Sequence, residues 1–247
     1  MGDIVKPDDN RTVFDCYADE SALAIEMRRL WGKLRQKTRG TNAKTLMITS
    51  ATLGEGKSTV SSFLALTIAK HKRTKTIIVD ADLRRPRLHH IFAVPRTVGL
   101  SSLLQSSAKV DAAIVPTGIA GFDVLPAGPG SQRSNELLAS STMAELLDEL
   151  DRRYDMVIID TPPSGMLSDA AILSKLVEGV LVVVREQTVS RTLVREVVHR
   201  LQQVGAPVLG VVVNAVDMTG RASKYKYYYS YRYQYYDEES KPEVAAK

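Results

Sequence analysis

The sequence has little cysteine and no long apolar stretch, and both shortages narrow the classes of protein that it can encode. Cys16 is the single cysteine in 247 residues, which excludes an internal disulfide framework and suits a reducing compartment. No charged and then apolar signal begins the chain, and the longest apolar run, Gly179–Val184, is much shorter than the roughly 18 residues of a membrane span. We therefore expect a soluble cytoplasmic chain, which reaches a membrane only through a partner.

Length and charge are compatible with several classes of protein. A chain of 247 residues with 44% apolar content is long enough for one α/β domain with a sizeable core and short extensions. The net charge of +5 is mildly basic. It permits an anionic nucleotide, a membrane surface or a nucleic acid as partner and does not decide between them.

A glycine-bearing loop at Ser50–Thr59 organises the chain. It lies between an apolar run and a helical pattern, and it fits the phosphate-loop motif G-x-x-x-x-G-K-[ST] with Ala51 at the first glycine. Backbone N–H groups of such a loop cradle phosphates, helped by the N-terminus of the next helix. Lys57 would reach the β- and γ-phosphates, and Ser58 would offer a hydroxyl to Mg²⁺. The residues of this loop that are predicted to bind the nucleotide are Gly54, Glu55, Gly56, Lys57, Ser58 and Thr59.

Acidic residues follow two apolar runs that are typical of buried parallel strands. Thr76–Val79 precedes Asp80 and Asp82, and Met156–Ile159 precedes Asp160. Ligands of open α/β sheets bind at the carboxyl ends of strands, so these carboxylates are predicted to lie beside the phosphate loop. An apolar run closed by aspartate is also the Walker B pattern, whose carboxylate helps to hold Mg²⁺. For the first two aspartates, helix capping is the alternative.

Strands and helices alternate along the chain. This predicts a P-loop NTPase-like α/β fold, with a mostly parallel sheet and helices on both faces. Helices are predicted over Asp19–Lys37 and Asn135–Leu150, and residues 1–17 are predicted to be an extended or mobile arm. Ser168 and Asp169 are predicted to cap a further helix.

The end of the last predicted core strand bears on the choice of nucleotide. The run Val208–Val213 ends in Asn214, which is placed to border a purine base. GTPases commonly carry Asn-Lys-x-Asp there, and in this chain Ala215 replaces the lysine. The expected cofactors are therefore ATP, favoured over GTP, and Mg²⁺.

Residues 221–247 differ in composition from the rest of the chain. They hold eight of the ten tyrosines, few aliphatic residues and no strand or helix period, as expected of a flexible tail. The clustered tyrosines are Tyr225, Tyr227, Tyr228, Tyr229, Tyr231, Tyr233, Tyr235 and Tyr236. A tail without a specific role and a stacking platform for single-stranded nucleic acid are the alternatives. The predicted organisation is an arm and helix over 1–42, a P-loop ATPase or kinase domain over 43–220, and the tail.

These motifs together resemble the bacterial tyrosine kinase family, over about Ala43–Asp217 and the tail. The segment Ile77–Pro86, I-I-V-D-A-D-L-R-R-P, matches that family's second aspartate-bearing Walker motif very closely. The resemblance implies ATP-dependent phosphorylation of the chain's own tyrosine cluster in trans. It further implies a role in the export and chain length of capsular or extracellular polysaccharides.

The resemblance also implies roles for individual residues. Lys57 and Ser58 would bind phosphate and Mg²⁺, and Asp82 and Asp160 would help to hold the metal. Asp80 corresponds to the family's presumed base for the tyrosine hydroxyl. The clustered tyrosines would be the phosphoacceptors.

Partners follow from the same resemblance. The family is activated by the cytoplasmic end of a membrane polysaccharide co-polymerase, which would hold this chain at the inner membrane, and a tyrosine phosphatase would reverse its action. Its members often carry Glu-x-x-Arg-x-x-Arg for ring assembly. Glu26 and Arg29 fit that motif, but Gly32 stands at the last arginine, with Arg28 or Arg35 as possible substitutes.

Two alternatives to a kinase stay open from the sequence. One is a partitioning ATPase of the ParA or MinD kind. Such proteins usually carry a signature lysine early in the phosphate loop, where this chain has Thr52, and they lack a tyrosine tail. The other is a non-enzymatic scaffold that binds nucleotide or nucleic acid, although no nucleic-acid partner is expected.

Overall fold

The computed structural model describes residues 13–17, 21–41, 43–72, 74–131, 133–165 and 168–216. The chain divides into two units, Met1–Asn214 and Ala215–Lys247, and all of the described helices and strands lie in the first. The clustered tyrosines lie outside the described residues. The three predicted segments, 1–42, 43–220 and 221–247, stay a prediction.

A mostly parallel sheet forms the centre of the first unit. The described strands are β1 (Thr45–Ser50), β2 (Thr76–Asp80), β3 (Val115–Pro116), β4 (Phe122–Leu125), β5 (Met156–Asp160), β6 (Gly179–Arg185) and β7 (Val208–Asn214). Their order in the sheet is β3-β4-β2-β5-β1-β6-β7. Neighbouring strands run parallel, except that the short edge strand β3 is antiparallel to β4. The strands β2, β5 and β1, which end at the predicted site, are therefore adjacent at the centre.

Helices connect these strands. The described helices are α1 (Val13–Cys16), α2 (Ala22–Lys37), α3 (Lys57–Lys72), α4 (Leu88–Ile91), α5 (Leu100–Leu104), α6 (Val110–Ala113), α7 (Ser134–Leu138), α8 (Ser141–Arg153), α9 (Asp169–Leu173) and α10 (Arg191–Gln203). The predicted alternation of strand and helix is confirmed. The short helices α4 and α6 and the strand β3 are too brief to produce a readable hydrophobic period.

The sheet separates two apolar cores because consecutive side chains of a strand point to opposite faces. Met47 lies in one core and Ile48 in the other, and neither has exposed surface. Residues of α1 to α4 complete the core around Ile48, and residues of α5 to α10 complete the core around Met47. The predicted class, an α/β fold with helices on both faces, is therefore confirmed.

Part of the predicted N-terminal arm is helical and packed. Val13 and Tyr17 are both buried. The Tyr17 ring stacks on Phe63 of α3 with 6.1 Å between centroids, and its hydroxyl lies 3.0 Å from Thr67 Oγ1. The prediction of an extended or mobile arm is wrong for this part, because its apolar and aromatic side chains are covered by α3. Residues 1–12 lie outside the described residues.

The helix predicted over Asn135–Leu150 is two helices, α7 and α8. Ser140 separates them, because its Oγ accepts a hydrogen bond from Met143 N at 3.3 Å and donates one to Leu137 O at 2.7 Å. A serine hydroxyl that binds the backbone in this way favours a helix start over a helix interior. Apolar residues occur on both sides of the break, so periodicity alone does not reveal it.

Helix α2 packs against α3 and confirms the predicted N-terminal helix. Met27 and Leu34 of α2 belong to the core that α3 shares. Ser21 caps the start by accepting a hydrogen bond from Ala24 N at 3.2 Å, so the helix begins at Ala22.

None of the described helices combines the length and the apolar character that crossing a membrane requires.

Candidate active site

The phosphate loop connects β1 to α3, and Lys57 is the first residue of that helix. Gly54 and Gly56 have φ angles of 80° and 83°, in the left-handed region that glycine adopts readily because it has no Cβ. A Cβ at position 56 would lie 2.2 Å from Asn214 Nδ2, whereas a Cβ at position 54 would meet nothing within 4 Å. Gly56 is thus required both by its conformation and by its close neighbour.

Two predicted nucleotide-binding residues, Glu55 and Asn214, make hydrogen bonds that hold this loop in its conformation. Glu55 is buried, and its Oε2 accepts a hydrogen bond from Thr52 N at 2.5 Å. Asn214, at the end of β7, donates its Nδ2 to Glu55 O at 2.9 Å. The Glu55 side chain is therefore used inside the loop, and the position of Asn214 beside the purine base stays a prediction. Thr59 is partly buried in the first turn of α3.

The Lys57 ammonium lies close to the predicted metal-binding oxygens. Its Nζ lies 3.1 Å from Asp82 Oδ2 and 3.9 Å from Asp160 Oδ2. It also donates to Ser58 Oγ at 3.3 Å. Burial by itself lowers the pKa of Lys57, but the carboxylates of Asp160 and Asp82 outweigh burial and raise that pKa. The ammonium charge is therefore retained at the centre of the site.

Asp160 ends β5 and has no exposed surface. Its Oδ1 accepts a hydrogen bond from Ser61 Oγ at 3.0 Å. Its Oδ2 is buried and has no hydrogen-bond partner among the described residues. Burial raises the pKa of Asp160, and the nearby Lys57 partly offsets this. This oxygen faces the Lys57 ammonium at 3.9 Å, and its lone pairs are available to a ligand.

Asp80 is turned inward and organises the chain that follows it. Its Oδ2 accepts hydrogen bonds from Arg87 N and Leu88 N, both at 3.0 Å, and its Oδ1 accepts one from Asp82 N at 3.3 Å. Burial, and then the charge of Asp160, raise the pKa of Asp80 to about 7. The Asp80 carboxylate has no exposed surface in this conformation, and its hydrogen bonds to Arg87 N and Leu88 N hold the turn that follows β2.

The donor set fits Mg²⁺. Ser58 offers a hydroxyl, and Asp82 and Asp160 offer carboxylate oxygens around the same ammonium. No group of three or more histidine, cysteine or acidic residues among the described residues is arranged to hold a metal by itself. Mg²⁺ is usually held by one or two carboxylates together with waters and substrate phosphates, so this smaller set is sufficient for it.

An ion pair beside the site was missed from the sequence. Arg84, two residues after Asp82, donates its Nε to Asp169 Oδ2 at 3.1 Å. Asp169 was predicted to cap α9 with Ser168. Ser168 occupies the cap position without a side-chain capping bond, and the Asp169 carboxylate points inward to Arg84 instead. Ser61 was also missed, although its helical spacing of four from Lys57 places both on one face of α3.

Comparison with known proteins identifies the family. A family model described as ParA: NUBPL iron-transfer P-loop NTPase matches residues 41–242. The putative tyrosine-protein kinase CapB of Staphylococcus aureus is 32% identical over 208 residues, which are 84% of this chain and 91% of CapB. The chain belongs to the bacterial tyrosine kinase family. The ParA-type match describes the P-loop NTPase fold, and hence the nucleotide-binding architecture, on which this tyrosine kinase family is built.

Two solved structures agree with this tyrosine kinase assignment. The kinase domain of Escherichia coli tyrosine kinase Etk is 36% identical with a TM-score of 0.77, over 83% of this chain and 80% of that domain. The chimerical protein CapA2B2 is 35% identical with a TM-score of 0.76, over 80% of this chain and 86% of the chimera. The chain spans 27% of the length of the Etk sequence from E. coli K12, to which it is 37% identical. The resemblance stated from the motifs is therefore confirmed.

Proposed function

We propose that this chain is an ATP-dependent protein-tyrosine autokinase that phosphorylates the C-terminal tyrosine cluster of a second copy. The observation that carries the proposal is the buried Lys57 ammonium surrounded by oxygens of Ser58, Asp82 and Asp160. Phosphoryl transfer relies on positioning and charge stabilisation. A fixed cation at the phosphate loop, with carboxylates beside it, supplies both.

Each residue of the site has its own proposed role. Lys57 exchanges the Asp82 carboxylate for the β- and γ-phosphates when ATP binds. Ser58, Asp82 and Asp160 would hold Mg²⁺, which neutralises charge on the phosphates when it is bound. The backbone of Gly54–Thr59 binds the phosphates, and Asn214 fixes the end of the loop through Glu55 O.

Asp80 is proposed as the base for the tyrosine hydroxyl. A pKa of about 7 suits a general base near neutral pH. Its Oδ2 is engaged by the N–H groups of Arg87 and Leu88, whereas its Oδ1 accepts, among the described residues, only the N–H of Asp82. Oδ1 therefore keeps a lone pair that can accept the proton. Asp80→Asn should then slow transfer and spare ATP binding, whereas Asp82→Asn should raise the Mg²⁺ requirement. Equal loss of ATP affinity in both variants would contradict this division.

The proposed phosphoacceptors are the eight clustered tyrosines of the tail. Residues 221–247 carry a formal charge of +2, and phosphorylation of all eight would change it to about −10 to −14. Such a tail is repelled by Asp80, Asp82 and Asp160. The exposed Arg85 beside them opposes that repulsion, so we expect release of the tail only after several tyrosines carry phosphate.

We also propose the regulatory setting that the family implies. The activator would be the cytoplasmic end of a membrane polysaccharide co-polymerase, which keeps the chain at the inner membrane, and a tyrosine phosphatase would reset the tail. The controlled process would be polymerisation or export of a capsular or extracellular polysaccharide. Support comes from family membership and from the tail composition.

Assembly into a ring is a separate proposal. Glu26 and Arg29 form an ion pair of 2.6 Å within α2. A Cβ at Gly32 would meet nothing within 4 Å, so a side chain can start from this position in Gly32→Arg. The mass of wild type and of Gly32→Arg, measured by light scattering with the activator segment fused, tests this proposal. Monomers in both proteins at high concentration would rule out a ring.

The kinase proposal is tested by incubating the chain with ATP and Mg²⁺ and locating phosphotyrosine by mass spectrometry. For transfer in trans, a Lys57→Met chain with an intact tail is mixed with a chain whose eight clustered tyrosines are replaced by phenylalanine. Phosphate should appear on the Lys57→Met chain. ATP hydrolysis without phosphotyrosine would instead indicate a ParA-like ATPase, and ATP binding without turnover would indicate a scaffold.

A further inference from the structure

The contacts of Arg84 join the segments that follow three strands at the carboxyl edge of the sheet. Arg84 Nε donates to Asp169 Oδ2 at 3.1 Å, and Arg84 Nη2 donates to Asn135 Oδ1 at 3.4 Å. Ser134 Oγ donates to the same oxygen of Asp169 at 3.5 Å. Arg84 follows β2, Ser134 and Asn135 follow β4, and Asp169 follows β5. These three strands are neighbours in the sheet.

The Asp169 carboxylate is almost completely removed from solvent. It is 1% exposed, and its Oδ1 has no hydrogen-bond partner among the described residues. A buried carboxylate is costly unless it is paired, and an apolar side chain of similar size is often no less stable. Helix capping does not account for the charge, because the carboxylate points to Arg84. A buried carboxylate at this place is therefore not explained by stability alone.

The pair bridges the two chain segments that carry the proposed metal-binding carboxylates. Asp82 lies two residues before Arg84, and Asp160 ends the strand that leads to Asp169. The main chain joins these segments through a hydrogen bond from Ala81 N to Asp160 O at 2.8 Å. Between the carboxylates themselves, Lys57 Nζ lies within reach of both Asp82 and Asp160. This contact between side chains would be lost if Lys57 turned to the phosphates.

We propose that Arg84 and Asp169 are positioning residues that keep Asp82 at its distance from Asp160 when Lys57 leaves Asp82 for the nucleotide. This inference rests on the proposed function, since it takes Asp82 and Asp160 to hold Mg²⁺. The pair does not involve Lys57, so we expect it to persist when nucleotide binds. Outer contacts of this kind change metal affinity by about 10- to 100-fold when they are removed.

The two partners should differ in their effect on folding and agree in their effect on the metal. Arg84→Ala leaves the Asp169 carboxylate buried without its cation, which is strongly destabilising. Asp169→Ala leaves Arg84, whose side chain is 35% exposed, free to reach water, so its effect on folding is smaller. Both substitutions break the same link to Asp82.

The experiment compares Arg84→Ala, Asp169→Ala, the double variant and Arg84→Lys with wild type. ATP affinity is measured by calorimetry over a range of Mg²⁺ concentrations, with autophosphorylation and thermal unfolding in parallel. The Mg²⁺ concentration for half-maximal ATP binding should rise about 10-fold in each alanine variant and no further in the double variant. Arg84→Lys should recover part of the shift, and ATP affinity without Mg²⁺ should stay as in wild type.

Arg133→Ala is the matched control. Arg133 stands beside Ser134 but pairs with Glu136 on the surface, so its removal should not change the Mg²⁺ requirement. Lower unfolding temperatures with an unchanged Mg²⁺ requirement would overturn the inference and leave a structural ion pair. If Arg84→Ala does not fold, the Mg²⁺ requirement of Asp169→Asn is measured instead, because this variant also removes a charge of the ion pair. Absence of phosphotyrosine in wild type would overturn the kinase proposal, while Mg²⁺-dependent ATP binding would still decide the role of the pair.

Discussion

The phosphate loop and the acidic loop (Asp80–Leu88) lie side by side at the edge of the sheet and are held in different ways. The phosphate loop depends on main-chain conformation, with left-handed Gly54 and Gly56 and an N–H bound by the buried Glu55. The acidic loop depends on side chains. Asp80 accepts three backbone N–H groups, and Asp82 Oδ1 accepts Arg85 N at 2.9 Å.

This difference indicates what each loop tolerates. The phosphate loop should accept changes of side chain except at Glu55, whose carboxylate binds Thr52 N, but not the addition of a Cβ at a close approach. A loop held by carboxylates has ordinary residues at its turns, yet it loses its shape when one acceptor is removed. Variants of the two loops test this contrast.

Lys57→Met should have the largest effect, because Lys57 is the side chain that both loops share. Loss of its charge removes the cation for the phosphates, and we expect autophosphorylation to fall by about 100-fold or more. The measurement is the initial rate of phosphotyrosine formation, with circular dichroism to verify folding. Lys175→Met, at an exposed lysine after α9, is the control. Activity retained in the Lys57 variant would refute the assigned centre.

Gly56→Ala and Gly54→Ala form a matched pair for the phosphate loop. Both place a Cβ at a left-handed φ, which costs about 1–2 kcal/mol. Only Gly56→Ala also meets Asn214 Nδ2, at 2.2 Å. ATP affinity should therefore fall by about 10-fold more for Gly56→Ala, equivalent to about 1.4 kcal/mol. Calorimetric titration measures this difference, and adding Asn214→Ala should restore part of it. Equal losses would show that Asn214 does not constrain the loop.

Asp80→Ala and Asp82→Ala are the corresponding pair for the acidic loop. Asp80→Ala leaves buried N–H groups of Arg87 and Leu88 without an acceptor, so unfolding should become easier by about 1–3 kcal/mol. Asp82→Ala leaves Asp160 beside Lys57 and removes one turn contact, so a smaller loss is expected. Urea unfolding monitored by circular dichroism gives both values. A larger loss for Asp82→Ala would contradict the inward role of Asp80.

Per pH unit, the smallest effect is a pH dependence of stability without nucleotide or metal. The folded-state pKa of Asp80, about 7, lies above its ordinary value of 3.8. The folded protein therefore binds a proton more strongly than the unfolded chain. This stabilisation is complete below the ordinary pKa and is lost as pH rises to about 7, with a slope of at most about 1.4 kcal/mol per pH unit.

A comparison of Asp80→Asn with wild type measures how much Asp80 contributes to the pH dependence of stability. Urea unfolding between about pH 4 and 8 should show a shallower slope in this variant than in wild type. Some slope should persist, because burial also raises the pKa of Asp160. Asp151→Asn, at a partly exposed residue beside Lys44, should keep the wild-type slope. An unchanged slope in Asp80→Asn would mean that Asp80 does not titrate in this range.

The amino-acid sequence alone is enough to predict the class of fold, the phosphate loop and the set of three aspartates. These features are local: apolar runs such as Met156–Ile159 mark buried strands, and Gly56-Lys57-Ser58 marks the start of a helix that faces phosphates. Parallel topology then brings the carboxyl ends of the strands together whatever the details of the loops. The family resemblance used the same short stretches.

The contacts that each aspartate makes, and the residues that support it, depend on how distant parts of the chain fold together. Where β2 ends, the strand period that fixes side-chain direction also ends, so Asp80 turns inward and Asp82 turns to Lys57. Arg84 and Asp169 are 85 residues apart, and no local period relates them. Their pairing exists because β2 and β5 are neighbours in the sheet, and that adjacency is a property of the folded chain.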